Sequence, residues 1–139
     1  MKFEESFDAG CDRDHAVDVV GREETVLSLL GEGESEIVDR KGDRVTVRTH
    51  YNALGQEGTA TFHFDYLMDG SVRFEKVCDG NVWQELRGEL DFEDLGSSCR
   101  VTLTLQGHTQ SLVPEFTVRG PLKEQIEQMA EALRQKIEA

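Results

Sequence analysis

The sequence predicts an α+β fold, in which a curved antiparallel sheet of about seven strands carries two short helices and a long C-terminal helix. Between residues 33 and 108 apolar and polar side chains alternate and glycine-containing turns recur, which is typical of consecutive antiparallel strands with one wet face. After Pro121 the apolar residues recur at steps of three and four, which predicts an amphipathic helix. Since a sheet with one apolar face needs a cover, we expect this helix to pack in the concave face. The chain of 139 residues is expected to form a single domain, 1–139.

The first thirty residues predict one strand and two short helices. Residues 2–8 alternate and indicate the strand, and Asp12 to Asp14 then offer N-cap oxygens for a helix over residues 15–20. Gly21 interrupts it, and residues 22–30 predict a second helix that Gly31 is expected to end. Helices this short are unstable alone, so both must pack against the rest of the fold.

The central part of the chain predicts a six-strand meander. The predicted strands are 34–40, 43–52, 59–68, 71–78, 82–92 and 99–106. Tight turns are expected at Lys41-Gly42, Asp69-Gly70, Asp79-Gly80 and Leu95-Gly96-Ser97, with a longer loop over residues 52–58. Trp83 falls on the polar phase of its strand, which indicates either an exposed contact or a local bulge.

The C-terminal helix is predicted to begin at Pro121, because proline suits the first helical position. Its apolar face comprises Leu122, Ile126, Met129, Ala130, Leu133 and Ile137.

The net charge and the hydropathy of the chain limit the classes of partner that we expect it to bind. The formal net charge of -13 repels phosphates and anionic headgroups, so we expect no nucleic-acid partner. No apolar run approaches the roughly 20 residues that cross a bilayer, and the N-terminus lacks the apolar segment of a signal peptide. We therefore expect a cytoplasmic protein without integral membrane association, either a monomer or a homodimer.

Three cysteines, Cys11, Cys78 and Cys99, form neither a disulfide framework nor a CxxC metal motif. Four histidines show no HxH or HExxH spacing, so surface positions are expected for them and no metal is predicted. Phosphate-binding glycine loops and the GxSxG motif do not occur in the sequence. No catalytic residue or cofactor is therefore predicted.

The order of the elements resembles the START-like superfamily, also called SRPBCC, over essentially the whole chain. The resemblance is carried by the helix pair 13–20 and 22–30, the turn 39–43, and the terminal helix preceded by residues 112–116. It implies a helix-grip fold, in which the sheet curls around the long helix and leaves a cavity between them. It also implies binding of lipids, sterols, polyketides or plant hormones, a minority of members being cyclases, aromatases or hydrolases. Many members carry a proline-rich lead-in and a Trp near the first helix, whereas this chain has residues 10–14 without an aromatic there.

A row of inward-facing aromatic and aliphatic residues is the candidate pocket lining. Such pockets are mostly apolar with a few polar groups that fix orientation. The same residues could equally fill a solid core, since the two cases give the same pattern. Tyr51 and Tyr66 are the informative members, because a buried hydroxyl needs a partner and a ligand can supply it. The candidates are Tyr51, Phe62, Phe64, Tyr66, Phe74, Phe116, Leu122, Ile126 and Met129.

The sequence and the resemblance leave three alternative functions open. The first is binding or carriage of a hydrophobic small molecule (a lipid, quinone or polyketide-like compound) between the sheet and the C-terminal helix. The second is a polyketide cyclase or aromatase-type enzyme in the same cavity, which requires inward polar groups such as Tyr51, Tyr66 or Lys76. The third is a protein-interaction module without a ligand. Lys76 shares the inward phase, but it is expected near a strand end, where its ammonium group extends to water.

Overall fold

Seven antiparallel strands in one open sheet and three helices make up the part of the chain that the computed structural model describes. That part comprises residues 1–30, 34–53 and 56–139. Within it, only the backbone is described for residues 52, 53 and 56. Gly31, the predicted end of the second helix, lies outside it. The elements are β1 (Lys2–Ala9), α1 (Arg13–Val20), α2 (Glu23–Leu29), β2 (Ser35–Lys41), β3 (Arg44–Ala53), β4 (Gln56–Tyr66), β5 (Val72–Lys76), β6 (Trp83–Asp94), β7 (Cys99–Thr109) and α3 (Phe116–Glu138).

The strand order is β1-β7-β6-β5-β4-β3-β2, so the predicted meander is confirmed and the first strand joins the last. β1 pairs with β7 in unbroken register, from Lys2 opposite Gln106 to Ala9 opposite Cys99. The predicted turns are confirmed as well, since Gly42, Gly70, Gly80 and Gly96 all have positive φ values.

The core lies between the inner face of the sheet and α3, as the predicted amphipathic face requires. Leu122, Ile126, Met129, Leu133 and Ile137 are buried, and Ala130 packs beside them. The backbone of α3 lies nearest to β1 and also approaches α1, α2 and β7, while α2 contacts β2 at the far edge of the sheet. The α+β helix-grip arrangement, with the sheet curved around the long helix, is therefore confirmed.

Helix α1 is fixed by side chains at its start. The Asp12 carboxylate accepts a hydrogen bond from the His15 amide at 2.8 Å, so the predicted N-cap is confirmed. The Arg13 guanidinium donates to the backbone carbonyl of Phe92 at 3.1 Å and to that of Asp69. These bonds attach α1 to the end of β6 and to the β4–β5 turn, so α1 lies across this end of the sheet.

Several boundaries differ from the sequence prediction. Helix α1 begins at Arg13 instead of residue 15, β5 ends at Lys76 instead of residue 78, and β7 continues to Thr109 instead of ending at residue 106. Strand β3 continues to Ala53 and β4 begins at Gln56, so the loop predicted over residues 52–58 is largely a strand pair. Helix α3 begins at Phe116, five residues before the predicted start at Pro121.

The earlier start of α3 is compatible with an internal proline for a local reason. The amides of Thr117 and Val118 each donate to a carbonyl three residues back, at 3.1 Å, which closes a tight first turn. Pro121 then omits one bond, in an exposed turn where water can satisfy the free carbonyl. The preceding residue, Gly120, has no Cβ to clash with the proline ring.

Within the described ranges, no helix has both the length and the apolar character needed to cross a membrane.

Candidate ligand-binding site

Aromatic rings of β4 and β5 occupy the centre of the inner face. Phe64 is completely buried and stacks on Phe74, with ring centroids 5.3 Å apart and ring planes 22° apart. Phe62 lies one inward step along β4, with its centroid 6.5 Å from that of Phe64. These positions follow from the alternation of β4, because residues two apart point to the same face.

The predicted lining residues fall into three environments. Phe64, Phe74, Leu122, Ile126 and Met129 are buried in the core, and Phe62 and Tyr66 are half-buried against it. Tyr51 and Phe116 are 48% and 77% exposed. Whether these residues line a pocket stays a prediction. The buried members of the set fit either a filled core or the wall of a binding site.

Tyr66 is the unusual member of the set. Its hydroxyl oxygen is buried and has no hydrogen-bond partner among the described residues. Burial raises the pKa of Tyr66 to about 12, and the nearby Glu23 carboxylate adds to the rise. Glu23 itself is held by Arg40 through two hydrogen bonds of 2.5 and 2.9 Å, and these bonds lower the pKa of its carboxyl group. Tyr66 is therefore a neutral hydrogen-bond donor at any physiological pH.

The raised pKa of Tyr66 predicts a late step in a spectrophotometric titration of the tyrosines. In the folded protein, absorbance at the tyrosinate band should include a component with a midpoint of about 12, and Tyr66→Phe should remove it. An unfolded tyrosine titrates near about 10, so the contribution of Tyr66 to folding stability is fully present below that pH and is lost as pH rises through its folded pKa. A late component that persists in Tyr66→Phe would contradict the assignment.

Trp83 is a functional candidate for which the sequence pattern left two interpretations open. A register shift between Trp83 and Glu85 turns the start of β6, so that Trp83 pairs with Thr109 on the inner side. A Cβ on Gly107 would lie 2.7 Å from the Trp83 ring, so the indole covers that glycine closely. Of the two interpretations that the polar phase left open, the bulge is the correct one.

Trp83 belongs to the end of the sheet opposite the α1 contact, which we call the open end. The backbone of Val82 accepts a bond from the Gln110 amide at 2.9 Å, which ties β6 to the β7–α3 connection. Apolar side chains are exposed in this region. They are Tyr51, Val77, Val82, Leu112 and Phe116.

Other candidate groups lie away from this interior or at its edge. Lys76 ends β5 opposite Phe62, so it lies on the inner phase but only half-buried at the open end. His63 lies on the outer face, where its Nδ1 is 2.9 Å from the Thr46 hydroxyl. In the described residues, His, Cys, Asp and Glu side chains form no group of three that could hold a metal ion.

A shallow depression of about 410 Å³ lies on the outer face of β4 to β7, on the opposite side of the sheet from the aromatic rings. Arg73, Arg87 and Glu89 contribute to its lining, and Arg73 pairs with Glu89 at 3.6 Å while Arg87 pairs with Glu85 at 3.2 Å. Exposed pairs of this kind are typical of a solvated sheet surface and contribute little to stability.

No family model matches the sequence, and no curated protein matches it either. Solved structures do match over nearly the whole chain. The Zhui aromatase/cyclase from Streptomyces sp. R1128 is 15% identical, with a TM-score of 0.78 over 99% of this chain and 90% of that one. A START superfamily protein from Mycobacterium smegmatis is 17% identical, with a TM-score of 0.76 over 99% and 97%.

A STAR-related lipid transfer protein from Xanthomonas axonopodis is also similar, at 14% identity and a TM-score of 0.70 over 99% of this chain and 86% of that one. At these identities the likeness establishes the fold. The chain therefore has the START-like, or SRPBCC-like, helix-grip fold that the order of its elements predicted.

Proposed function

We propose that this protein binds a hydrophobic small molecule, such as a lipid, quinone or polyketide-like compound, between the sheet and α3. The observation that carries the proposal is the buried, unpartnered hydroxyl of Tyr66 on the inner face. An unsatisfied buried polar group costs about 1–3 kcal/mol, and a ligand that supplies an acceptor would offset that cost.

The surroundings of Tyr66 support an apolar ligand. Phe62 and the completely buried Phe64 follow it along the inner side of β4, so a molecule beside Tyr66 would meet Phe62 and the apolar side chains that cover Phe64. At the open end, the exposed Phe116 and Leu112 offer an apolar rim through which such a molecule could pass. The net charge of -13 disfavours anionic partners. Similar structures include a lipid transfer protein and an aromatase/cyclase.

A second candidate is a cyclase or aromatase-type enzyme that uses the same interior. One observation favours it, namely that two polar groups, Tyr66 and Lys76, share the inner phase of β4 and β5 and could hold a polar substrate at its two ends. The two candidates differ in whether the bound molecule leaves the protein chemically changed.

Native mass spectrometry of gently purified protein, followed by denaturing extraction, tests the proposal. We expect a co-purifying apolar compound on the wild type and its loss from Phe62→Arg, which places a cation on the half-buried inner face. Thr61→Arg, on the outer face of the same strand, is the matched control and should retain the compound. A wild type that carries no compound and takes up none from a lipid extract would contradict the proposal and favour an interaction module. Conversion of the extracted compound on renewed incubation would favour the enzyme.

A further inference from the structure

Among the described residues, one buried polar side-chain group has no hydrogen-bond partner, the hydroxyl of Tyr66. Tyr66 ends β4 and pairs with Val72 at the start of β5, at the end of the sheet that α1 lies across. Its amide donates to the Asp43 carbonyl at 3.0 Å, which fixes the backbone from which the ring extends. A ligand that meets the Tyr66 hydroxyl must therefore reach that end.

The other buried polar side chains are already paired. Thr25 donates to the Val19 carbonyl at 2.7 Å, and Ser71 donates to the Asp69 carboxylate at 2.6 Å. The Thr49 hydroxyl accepts from Ser35 at 2.9 Å. In the described part of the chain, the Tyr66 hydroxyl is thus the buried side-chain group that remains available to a ligand.

We propose that the bound molecule is neutral and carries a hydrogen-bond acceptor, such as a ketone or quinone carbonyl, which takes the hydroxyl proton of Tyr66. This inference rests on the proposed function and specifies the ligand class for that same site. Because inward residues of β4 are two apart, the half-buried Tyr66 and Phe62 are separated by roughly 13 Å, and the apolar body of the ligand extends from the first toward the second. Phe64 between them is completely buried, so the side chains that cover it must separate to admit the ligand.

The surroundings of Tyr66 disfavour an anionic head group. The hydroxyl is buried, and the net charge of the chain is -13. Arg40 is already engaged with both oxygens of Glu23. Lys76 lies at the other end of β5. An anion at Tyr66 would therefore be a buried charge without a partner, which is strongly unfavourable.

Three probes with the same aromatic body test this class. They are 2-acetylnaphthalene, a ketone; 2-isopropenylnaphthalene, which replaces the carbonyl oxygen by a CH2 group; and 2-naphthoate, an anion. We expect wild-type protein at neutral pH to bind the ketone roughly tenfold more tightly than the alkene, which corresponds to one buried hydrogen bond. The anion should bind most weakly.

Tyr66→Phe keeps the ring and removes the hydroxyl. It should abolish the preference for the ketone and leave alkene binding unchanged or tighter. Thr61→Val, which removes a hydroxyl from the outer face of the same strand, is the matched control and should keep the preference. The infrared carbonyl stretch of the bound ketone should be lowered in the wild type and return in Tyr66→Phe to its value in an apolar solvent, a change that a purely structural role would not produce.

The outcomes separate this inference from the proposed function. If wild type and Tyr66→Phe bind the ketone and the alkene equally well, the inference is wrong while hydrophobic binding stands. If the anion binds best, the inference is also wrong. If none of the probes binds the wild type, the inference is wrong, and the uptake experiment with a lipid extract decides the proposed function separately.

Discussion

Leu133→Asp is expected to leave the protein largely unfolded at neutral pH. Leu133 is completely buried on the face of α3 that packs against the sheet. Truncating a buried leucine costs about 2–5 kcal/mol, and placing an unpaired carboxylate there adds several more. A domain of this size has a total stability of about 5–15 kcal/mol, so the loss is comparable to the whole. Far-ultraviolet circular dichroism during thermal unfolding measures it.

Gln128→Asp is the matched control for that change, because it introduces the same residue on the exposed side of α3. It carries the same helix-propensity cost without the burial, and the melting temperature should fall only slightly. Partial refolding of Leu133→Asp at acidic pH would agree with the argument, since protonation removes the buried charge. A melting temperature close to that of the wild type would show that the apolar face of α3 is misplaced.

The strands and their phases were predictable because each depends on local sequence. The alternation in β4 and β7 needs only residues two apart, and the turns needed only a glycine that accepts a positive φ. The buried face of α3 was predictable for the same reason, with a period of three and four. In both cases one side of the element is buried, and burial fixes the phase.

The features that were missed depend on contacts distant in sequence. Trp83 turns inward because β6 shifts its register against β7, and Gly107 on that strand leaves space for the indole. The connection before α3 is also held by a distant contact, because the Gln110 side chain donates to the Trp83 carbonyl at 3.3 Å. For Tyr66, the sequence indicated a buried hydroxyl, but only the surrounding structure shows it to be unpartnered.

Gly88→Ala is expected to destabilise the protein by about 3 kcal/mol, at the upper end of what overpacking typically costs. A Cβ on Gly88 would lie 2.1 Å from the Cζ atom of Phe74, which is far inside van der Waals contact. The Phe74 ring cannot move aside, because it is 3% exposed and stacked on Phe64. Denaturant unfolding with a constant m-value measures the change in stability.

A double-mutant cycle shows whether the Phe74 ring is the cause. Phe74→Leu removes the clashing atoms, so adding Gly88→Ala to that background should cost much less than in the wild type.

Gly58→Ala provides a second comparison. Its Cβ would also meet a ring, at 2.6 Å from Tyr51, but that ring is 48% exposed and free to move. Gly58→Ala should therefore cost little despite a similar clash. Equal costs at Gly58 and Gly88, or no coupling between Gly88 and Phe74, would mean that the aromatic stack of the inner face is looser than the ring distances indicate. A tightly held stack, in turn, would form a fixed wall for the ligand proposed to lie between Tyr66 and Phe62.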